Sequence, residues 1–209
     1  MVPVENEIKL DLQSEDNYRK LIDCFAEVES EDRLDNYFFD TDDRALSKSG
    51  WALRIRRERG GARITAKGAA QTNSGGLTAR PEIETPLPDD DLAALIETGL
   101  EISRLPAEIG GHLGEIIARK SLEVIATFTT WRTSARHRTG DLELKFEIDR
   151  TVFPGGTTDY ELEVELPDAA QFDRAMKSIK AILSRLEIPV RFQRESKFAR
   201  ALKRIEHGT

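Results

Sequence analysis

Three carboxylate pairs, Glu5/Glu7, Glu82/Glu84 and Glu161/Glu163, share one spacing, with a single residue between the two acids. In a β-strand residues two apart point to the same face. Each pair therefore sets two like charges side by side, where they repel unless cations or water compensate. Cations recur at the same spacing: Lys9 follows Glu5 and Glu7, Arg54 and Arg56 share a face in Leu53-Arg-Ile-Arg-Arg57, and Arg63, Thr65 and Lys67 share another. Arg80 aligns with Glu82 and Glu84, and Glu143, Lys145, Glu147 and Asp149 align with one another. Carboxylates are hard oxygen ligands for Mg2+ or Mn2+, and guanidinium and ammonium groups match phosphoryl oxygens. Together such groups can neutralise a triphosphate and orient a water in line with its terminal phosphorus. That chemistry needs no cysteine or serine nucleophile.

Alternating charge alone also describes the solvent face of an ordinary antiparallel sheet, where cross-strand pairs contribute a few tenths of a kcal/mol. Two features speak against that reading: nearly every strand carries the pattern, and the opposite faces are continuously apolar. Val4, Ile8, Leu10 and Leu12, for example, oppose Glu5, Glu7 and Lys9. If helices cover the apolar faces from outside, the charged faces look inward and the sheet closes around a hydrated, charged tunnel.

The periodicities supply such elements. Residues 2–12, 33–41, 51–59, 62–68, 77–86, 119–137, 141–153 and 158–166 read as strands, with a hairpin turn at Arg59-Gly60-Gly61 and the fifth strand ended by Pro86 and Pro88. A helix is expected from Ser14 to about residue 28, another opening at Asp89-Asp90-Asp91, whose acids suit a helix N-terminus, and a third from Ala169 to about Leu186. Residues 71–76 read as a polar loop and 100–118 as a helical or irregular insert. The last segment, from Glu195, reads as a helix with Ser196 near its cap. Eight sequentially connected strands suit a closed eight-stranded antiparallel β-barrel, mainly β with peripheral helices. With no Pro/Gly/Ser-rich linker, residues 1–209 are expected to form one domain.

A net charge of -7 argues against a general nucleic-acid binder, which needs a broad basic surface. Cys24 is the only cysteine, which excludes an intrachain disulfide and a cysteine-built zinc site. His112, His137 and His207 show no ligand spacing and read as surface residues. No apolar stretch is long enough to span a bilayer and no signal-peptide pattern is present, so a cytoplasmic location is the expectation.

In this order along the chain, Glu5-x-Glu7-x-Lys9, Phe39-Asp40-Thr41, Gly50-x-x-Leu53-Arg54-x-Arg56, Lys67, Arg80-Pro-Glu82-x-Glu84, Asp149, Glu161-x-Glu163 and Ser196-Lys197 resemble the CYTH superfamily, the triphosphate tunnel metalloenzymes. The resemblance implies a tunnel barrel in which Glu5, Glu7, Asp149, Glu161 and Glu163 hold Mg2+ or Mn2+. Glu165 shares the parity of the last pair and leaves its register open by one step. Lys9, Arg54, Arg56, Lys67, Arg80, Arg132 and Lys197 would bind substrate, Lys197 from a closing C-terminal helix. Glu5, Glu7, Lys9, Glu82 and Glu84 would form the catalytic set. The stretch Gly75 to Glu84 most resembles the bacterial inorganic triphosphatase branch, whose members often carry a following CHAD domain; residues 1–209 correspond either to a stand-alone form or to the first part of such a protein. The implied partner is inorganic triphosphate or a related polyphosphate, with no membrane or nucleic acid. A Tyr-Phe-Asp-Thr motif common in the family reads Phe38-Phe39-Asp40-Thr41, with Tyr37 on the other parity, which speaks against the thiamine triphosphatase branch. The same tunnel could serve a class IV adenylyl cyclase or another organic triphosphate hydrolase. A non-catalytic polyphosphate-binding module is the alternative of another class.

Overall fold

The structure is a computed structural model that describes residues 2–87, 92–118 and 120–207. Its strands are β1 (Val4–Asp11), β2 (Ser30–Asp40), β3 (Ala52–Glu58), β4 (Gly61–Lys67), β5 (Gln71–Thr72), β6 (Leu77–Leu87), β7 (Glu123–Thr139), β8 (Leu142–Val152) and β9 (Thr158–Glu165). Its α-helices are α1 (Glu15–Asp23), α2 (Ala45–Lys48), α3 (Leu92–Thr98), α4 (Ala107–Ile117), α5 (Phe172–Arg185) and α6 (Lys197–His207). Eight strands pair antiparallel in the order β1-β9-β8-β7-β2-β3-β4-β6, and β6 returns to β1 to close the ring, with β5 a two-residue addition to β6.

Closure depends on β6 serving two neighbours in succession. Its first half pairs with β1, from Leu77 opposite Ile8 to Pro81 opposite Val4. Its second half pairs with β4, from Glu82 opposite Lys67 to Leu87 opposite Ala62. This explains why Pro86 does not end the strand as expected. Beyond Pro81 the ladder to β1 has stopped, so a proline lacking an N–H on that edge removes no ladder bond.

The apolar strand faces point outward and are covered by helices, as the inversion requires. On one flank α1 and α5 lay Leu21, Met176, Ile179 and Leu183 over Ile8, Leu10, Phe146, Leu162 and Val164. On another, α2 to α4 lay Leu46, Leu95, Ile109 and Leu113 over Leu53, Ile55 and Ile64. Burying both faces of a strand, one on helices and one on a charged interior, requires the interior charges to compensate one another.

Other differences from the sequence reading are local. The first helix stops at Asp23 rather than near 28: the Phe25 amide donates to the Ile22 carbonyl, and the Phe25 ring packs edge-on against Phe146 at 5.3 Å. The residues freed there turn the chain into β2, which starts at Ser30 opposite Ser134. The expected loop at 71–76 contains β5, and the 100–118 insert resolves into a 3-10 turn (Ile102–Arg104) and α4. The acidic triplet Asp89-Asp90-Asp91 lies outside the described residues.

Candidate active site in the tunnel

The inward faces enclose a cavity of about 800 Å3 lined by Glu5, Glu7, Lys9, Arg54, Arg56, Lys67, Arg80, Glu82, Glu84, Arg132, Glu163 and Lys197, together with Glu147 and Glu165. Strand register brings them together from far apart in sequence. Glu5 stands opposite Arg80, Lys9 opposite Glu163, Lys67 opposite Glu82, Arg54 opposite Thr65 and Arg132 opposite Asp149.

On the β1, β4 and β6 side the charges form a chain. The Lys67 ammonium lies 3.2 Å from Glu5 Oε2 and 2.5 Å from Glu82 Oε2, while Arg80 donates to Glu5 Oε2 and Glu7 Oε1, each at 3.0 Å. Burial works to raise the Glu5 carboxyl, but Lys67 and Arg80 outweigh it and hold the group well below the usual carboxylate range. Glu82 goes the other way: burial, with Glu5 beside it, pushes its carboxyl up to about 7. Burial and the neighbouring Arg80 and Arg54 bring Lys67 down to about 8.

The β8, β9 and α6 side is denser. Arg132 donates to both oxygens of Asp149, at 2.8 and 2.7 Å, to Glu163 at 2.5 Å and to Glu147. The Lys197 ammonium sits 2.9 Å from Asp149 Oδ2, 2.9 Å from Glu163 Oε1 and 3.3 Å from Glu161 Oε1. Arg200 donates to Glu161 Oε2 at 2.5 Å and pairs with Asp159 at 2.9 Å. Asp149 and Glu161 do not line the cavity; they are fully buried behind Arg132, Lys197 and Arg200. The step left open between Glu161/Glu163 and Glu165 resolves into depth: Glu161 is buried, Glu163 is at the cavity wall, and Glu165, opposite Glu7, is exposed at the cavity's edge.

The β2 and β3 side is different again. Arg54 is buried, its guanidinium donates to Thr65 Oγ at 3.1 Å, and its nearest carboxylate, Glu84, is 3.5 Å away. Its Nε has no hydrogen-bond partner. Arg56 donates to the neutral Asn36 Oδ1 at 3.0 Å, and among the described residues no carboxylate forms an ion pair with it. Burial, and then Arg54 and Arg132, push Arg56 down from its ordinary value. Beside these arginines the wall is aromatic: Phe38 stacks on Phe198 at 4.3 Å and faces Phe128 at 5.5 Å, all three at the cavity.

The acids suit a hard divalent cation in kind. Glu161 Oε1 is a buried carboxylate oxygen with no hydrogen-bond donor, which is where a metal would find a free lone pair. Among the described residues, however, no three carboxylate, histidine or cysteine groups are disposed to hold an ion together; the acids are paired with lysines and arginines instead.

Several groups in and behind the cavity wall were not assigned from sequence. Arg200 falls three residues after Lys197, and the i, i+3 spacing on a helix puts both on one face, a signal that was there to be read. Phe38 shares strand parity with Asn36, but an inward aromatic contradicts the expectation of a wholly charged lining. Of the histidines, His112 stacks near Trp51 at 6.4 Å and His137 pairs with Ser178 at 3.1 Å, both away from the tunnel acids.

An antiparallel eight-stranded barrel with inward acids and bases defines a charged-tunnel protein. Residues 4–201 match the CYTH domain family, and the chain belongs to it. Among solved structures it is similar to the Hippeastrum protein HpAC1, named for adenylyl cyclase but reported with a dominant triphosphatase activity, at 23% identity over 95% of each chain with a TM-score of 0.78. It is also similar to a Bacillus halodurans protein provisionally named an adenylate cyclase, at 26% identity over 94% of this chain and 97% of that one, with a TM-score of 0.68. A comparison with curated proteins returned no match. No helix among the described residues is long and apolar enough to cross a membrane.

Proposed function

We propose that the tunnel hydrolyses inorganic triphosphate to diphosphate and phosphate with the help of Mg2+ or Mn2+. The observation that carries this reading is the pair Arg54 and Arg56, of which Arg54 has one carboxylate, at 3.5 Å, and Arg56 has no ion pair among the described residues. Arg54 is buried with an unpartnered Nε, and the half-buried Arg56 donates to an amide oxygen, so both guanidiniums keep donor capacity for an anion. They lie on the same cavity as Lys9, Lys67, Arg80 and Arg132, and a linear polyanion is the ligand that would satisfy them.

In this reading Arg54, Arg56 and Lys67 hold phosphoryl oxygens along one wall, and Lys9, Arg80, Arg132 and Lys197 neutralise charge along the others. Glu5, Glu7 and Glu163 at the cavity wall, with Asp149 and Glu161 behind them, are the residues that would hold the divalent cation. When bound, the cation would withdraw charge from phosphoryl oxygens and favour a nucleophilic water. Glu82, with its carboxyl near 7 and Lys67 at 2.5 Å, is placed to accept the proton that water loses as it attacks the terminal phosphorus. The bond to the bridging oxygen then breaks and diphosphate leaves. Glu84, shared among Arg54, Arg63 and Thr65, orients the arginine wall. The reported activity of HpAC1 accords with this reading, though that likeness is one of fold.

One observation favours a second reading. An inorganic triphosphate gains little from the Phe38, Phe128 and Phe198 wall, whereas a triphosphate carrying a planar organic group could stack there. Phosphate release from inorganic triphosphate, compared with ATP, in Mg2+ or Mn2+ separates the two. Metal-dependent turnover of inorganic triphosphate that is lost in Glu5→Ala/Glu7→Ala supports the first; release of cyclic AMP and diphosphate from ATP supports a cyclase. Tight triphosphate binding with no turnover of either would make the tunnel a binding module.

A further inference from the structure

Three carboxylates from two adjacent strands, Asp149 on β8 and Glu161 and Glu163 on β9, each place one oxygen 2.9–3.3 Å from the Lys197 ammonium, which holds them apart from one another. Asp149 and Glu161 are buried, and Glu161 Oε1 has no hydrogen bond, so Lys197 meets it only as a charge at 3.3 Å. These are the acids expected to hold a divalent cation. We propose that Lys197 is a built-in competitor for that cation: the metal gains these oxygens only as the Lys197 ammonium leaves them, and the ammonium then turns into the cavity toward the substrate. The inference rests on the metal part of the reading above.

The surroundings single out Lys197 as the group that yields. Arg132 is fixed from within β7 to Asp149, Glu147 and Glu163 at once and is a planar fork, matched to those oxygens. Lys9 is farther away, 3.6 Å from Glu163, and has Glu7 at 3.0 Å as its nearer partner. Arg200 donates to the other oxygen of Glu161 and forms an ion pair with Asp159, and both contacts leave Oε1 of Glu161 to a metal. Lys197 alone combines a flexible four-carbon stem, a place at the very first turn of α6, and direct contact with the open cavity. A cation and an ammonium that share ligands are linked reciprocally: whatever free energy Lys197 gains from the acids is subtracted from metal binding. Triphosphate, by offering Lys197 new oxygens, would restore it, so the protein would bind metal weakly alone and tightly with substrate.

The test is Mn2+ binding by calorimetry on the full chain without triphosphate. Lys197→Met is expected to bind Mn2+ more tightly than the unaltered chain, within the range of about five- to 150-fold typical of coupled sites, while Lys197→Arg stays close to the original. Lys203→Met removes an exposed charge from the same helix, paired with Glu195, and is expected to change affinity by no more than about twofold, since exposed charges at that remove are screened. Because Lys197→Met also leaves buried acids short of a cation, Mn2+ should raise its melting temperature by more than it raises that of the original, whatever the starting value. Equal or weaker affinity in Lys197→Met, or an equal gain in Lys203→Met, overturns the inference while leaving metal binding intact. Absence of Mn2+ binding in all forms overturns both the inference and the metal reading.

Discussion

The two walls of the tunnel solve the problem of buried charge in opposite ways. Around β8, β9 and α6 the three acids that surround Lys197 all meet cations: Asp149, Glu161 and Glu163 are each held by at least two of Arg132, Lys197, Arg200 and Lys9. Around β2 and β3 Arg54 and Arg56 are left with a hydroxyl, an amide and one carboxylate at 3.5 Å. A wall whose charges are already matched gains little from an added anion, and its ion pairs bind a helix to a barrel. A wall whose cations have few partners within the chain keeps donors to offer an anionic ligand. In the function proposed above, charge of one kind would do structural work on one side and recognition on the other, and what separates them is whether the partner is part of the chain.

The most severe way to break this contrast is Arg54→Met/Arg56→Met. Hydrogen bonds to charged groups contribute about 1.5–3 kcal/mol each, so losing both arginines is expected to weaken triphosphate binding about a hundredfold to ten-thousandfold. The fold should not suffer, because a buried and a half-buried cation with few partners are replaced by apolar chains of similar length. Isothermal titration with triphosphate and a urea denaturation midpoint measure the two effects. A large fall in stability would mean that this wall is structural like the other.

The opposite wall should respond in the opposite sense. Arg200→Met takes a guanidinium from the buried Glu161 and from Asp159, and breaking a buried pair from one side costs about 3–5 kcal/mol. The lower end is expected, because Lys197 still serves Glu161 and Arg204 still donates to Asp159 at 2.8 Å. Adding Glu161→Gln should recover part of the loss in a denaturation-based double-mutant cycle. Triphosphate affinity should move much less than stability.

Lys67 sharpens the comparison through pH. Burial lowers its ammonium to about 8 in the fold, below the ordinary lysine value of 10.5. Between those values the unfolded chain binds more protons than the folded one, so this residue's contribution to stability increases as pH rises from about 8 toward 10.5. Triphosphate needs the protonated form, so affinity should fall over the same interval. Wild-type protein and Lys67→Met, titrated with triphosphate and with urea at pH 7.5 and 9.5, give the two slopes by difference. Parallel slopes would remove Lys67 from the recognition wall.

How much of this was visible in the residues depends on the kind of contact. Strand parity placed Glu5, Glu7, Lys9, Arg54, Arg56, Lys67 and Glu163 in one interior, because alternation is a local property that survives any register. Register is a property of pairs of strands. It decides that Glu161 sits behind the cavity and Glu165 toward its opening, and nothing in the stretch 158–166 separates the three glutamates. The inward Phe38 was equally hidden: its parity was plain, but an aromatic is apolar on either face of a sheet, and only its stacking on Phe198 of α6 gives it a reason to face the tunnel. Pro86 misled for a related reason, since whether a proline ends a strand depends on which edge has a neighbour.

The gentlest probe of the matched wall leaves all of its charges in place. Ser196 Oγ accepts from the Ala199 amide at 3.1 Å, and the Ser196 carbonyl accepts from the Arg200 amide, so the serine caps the turn that carries Lys197 and Arg200. Ser196→Ala removes the side-chain bond and is expected to lower stability by about 1 kcal/mol, the usual worth of an N-cap. If ion pairs dominate the docking of α6, amide exchange should speed up at Ala199, whose cap is lost, and remain slow farther along the helix near Ala201, which is buried against the barrel. If the whole of α6 exchanges faster, the cap rather than the salt bridges sets the position of Lys197 and Arg200. The matched wall would then depend on local helix geometry as much as on charge.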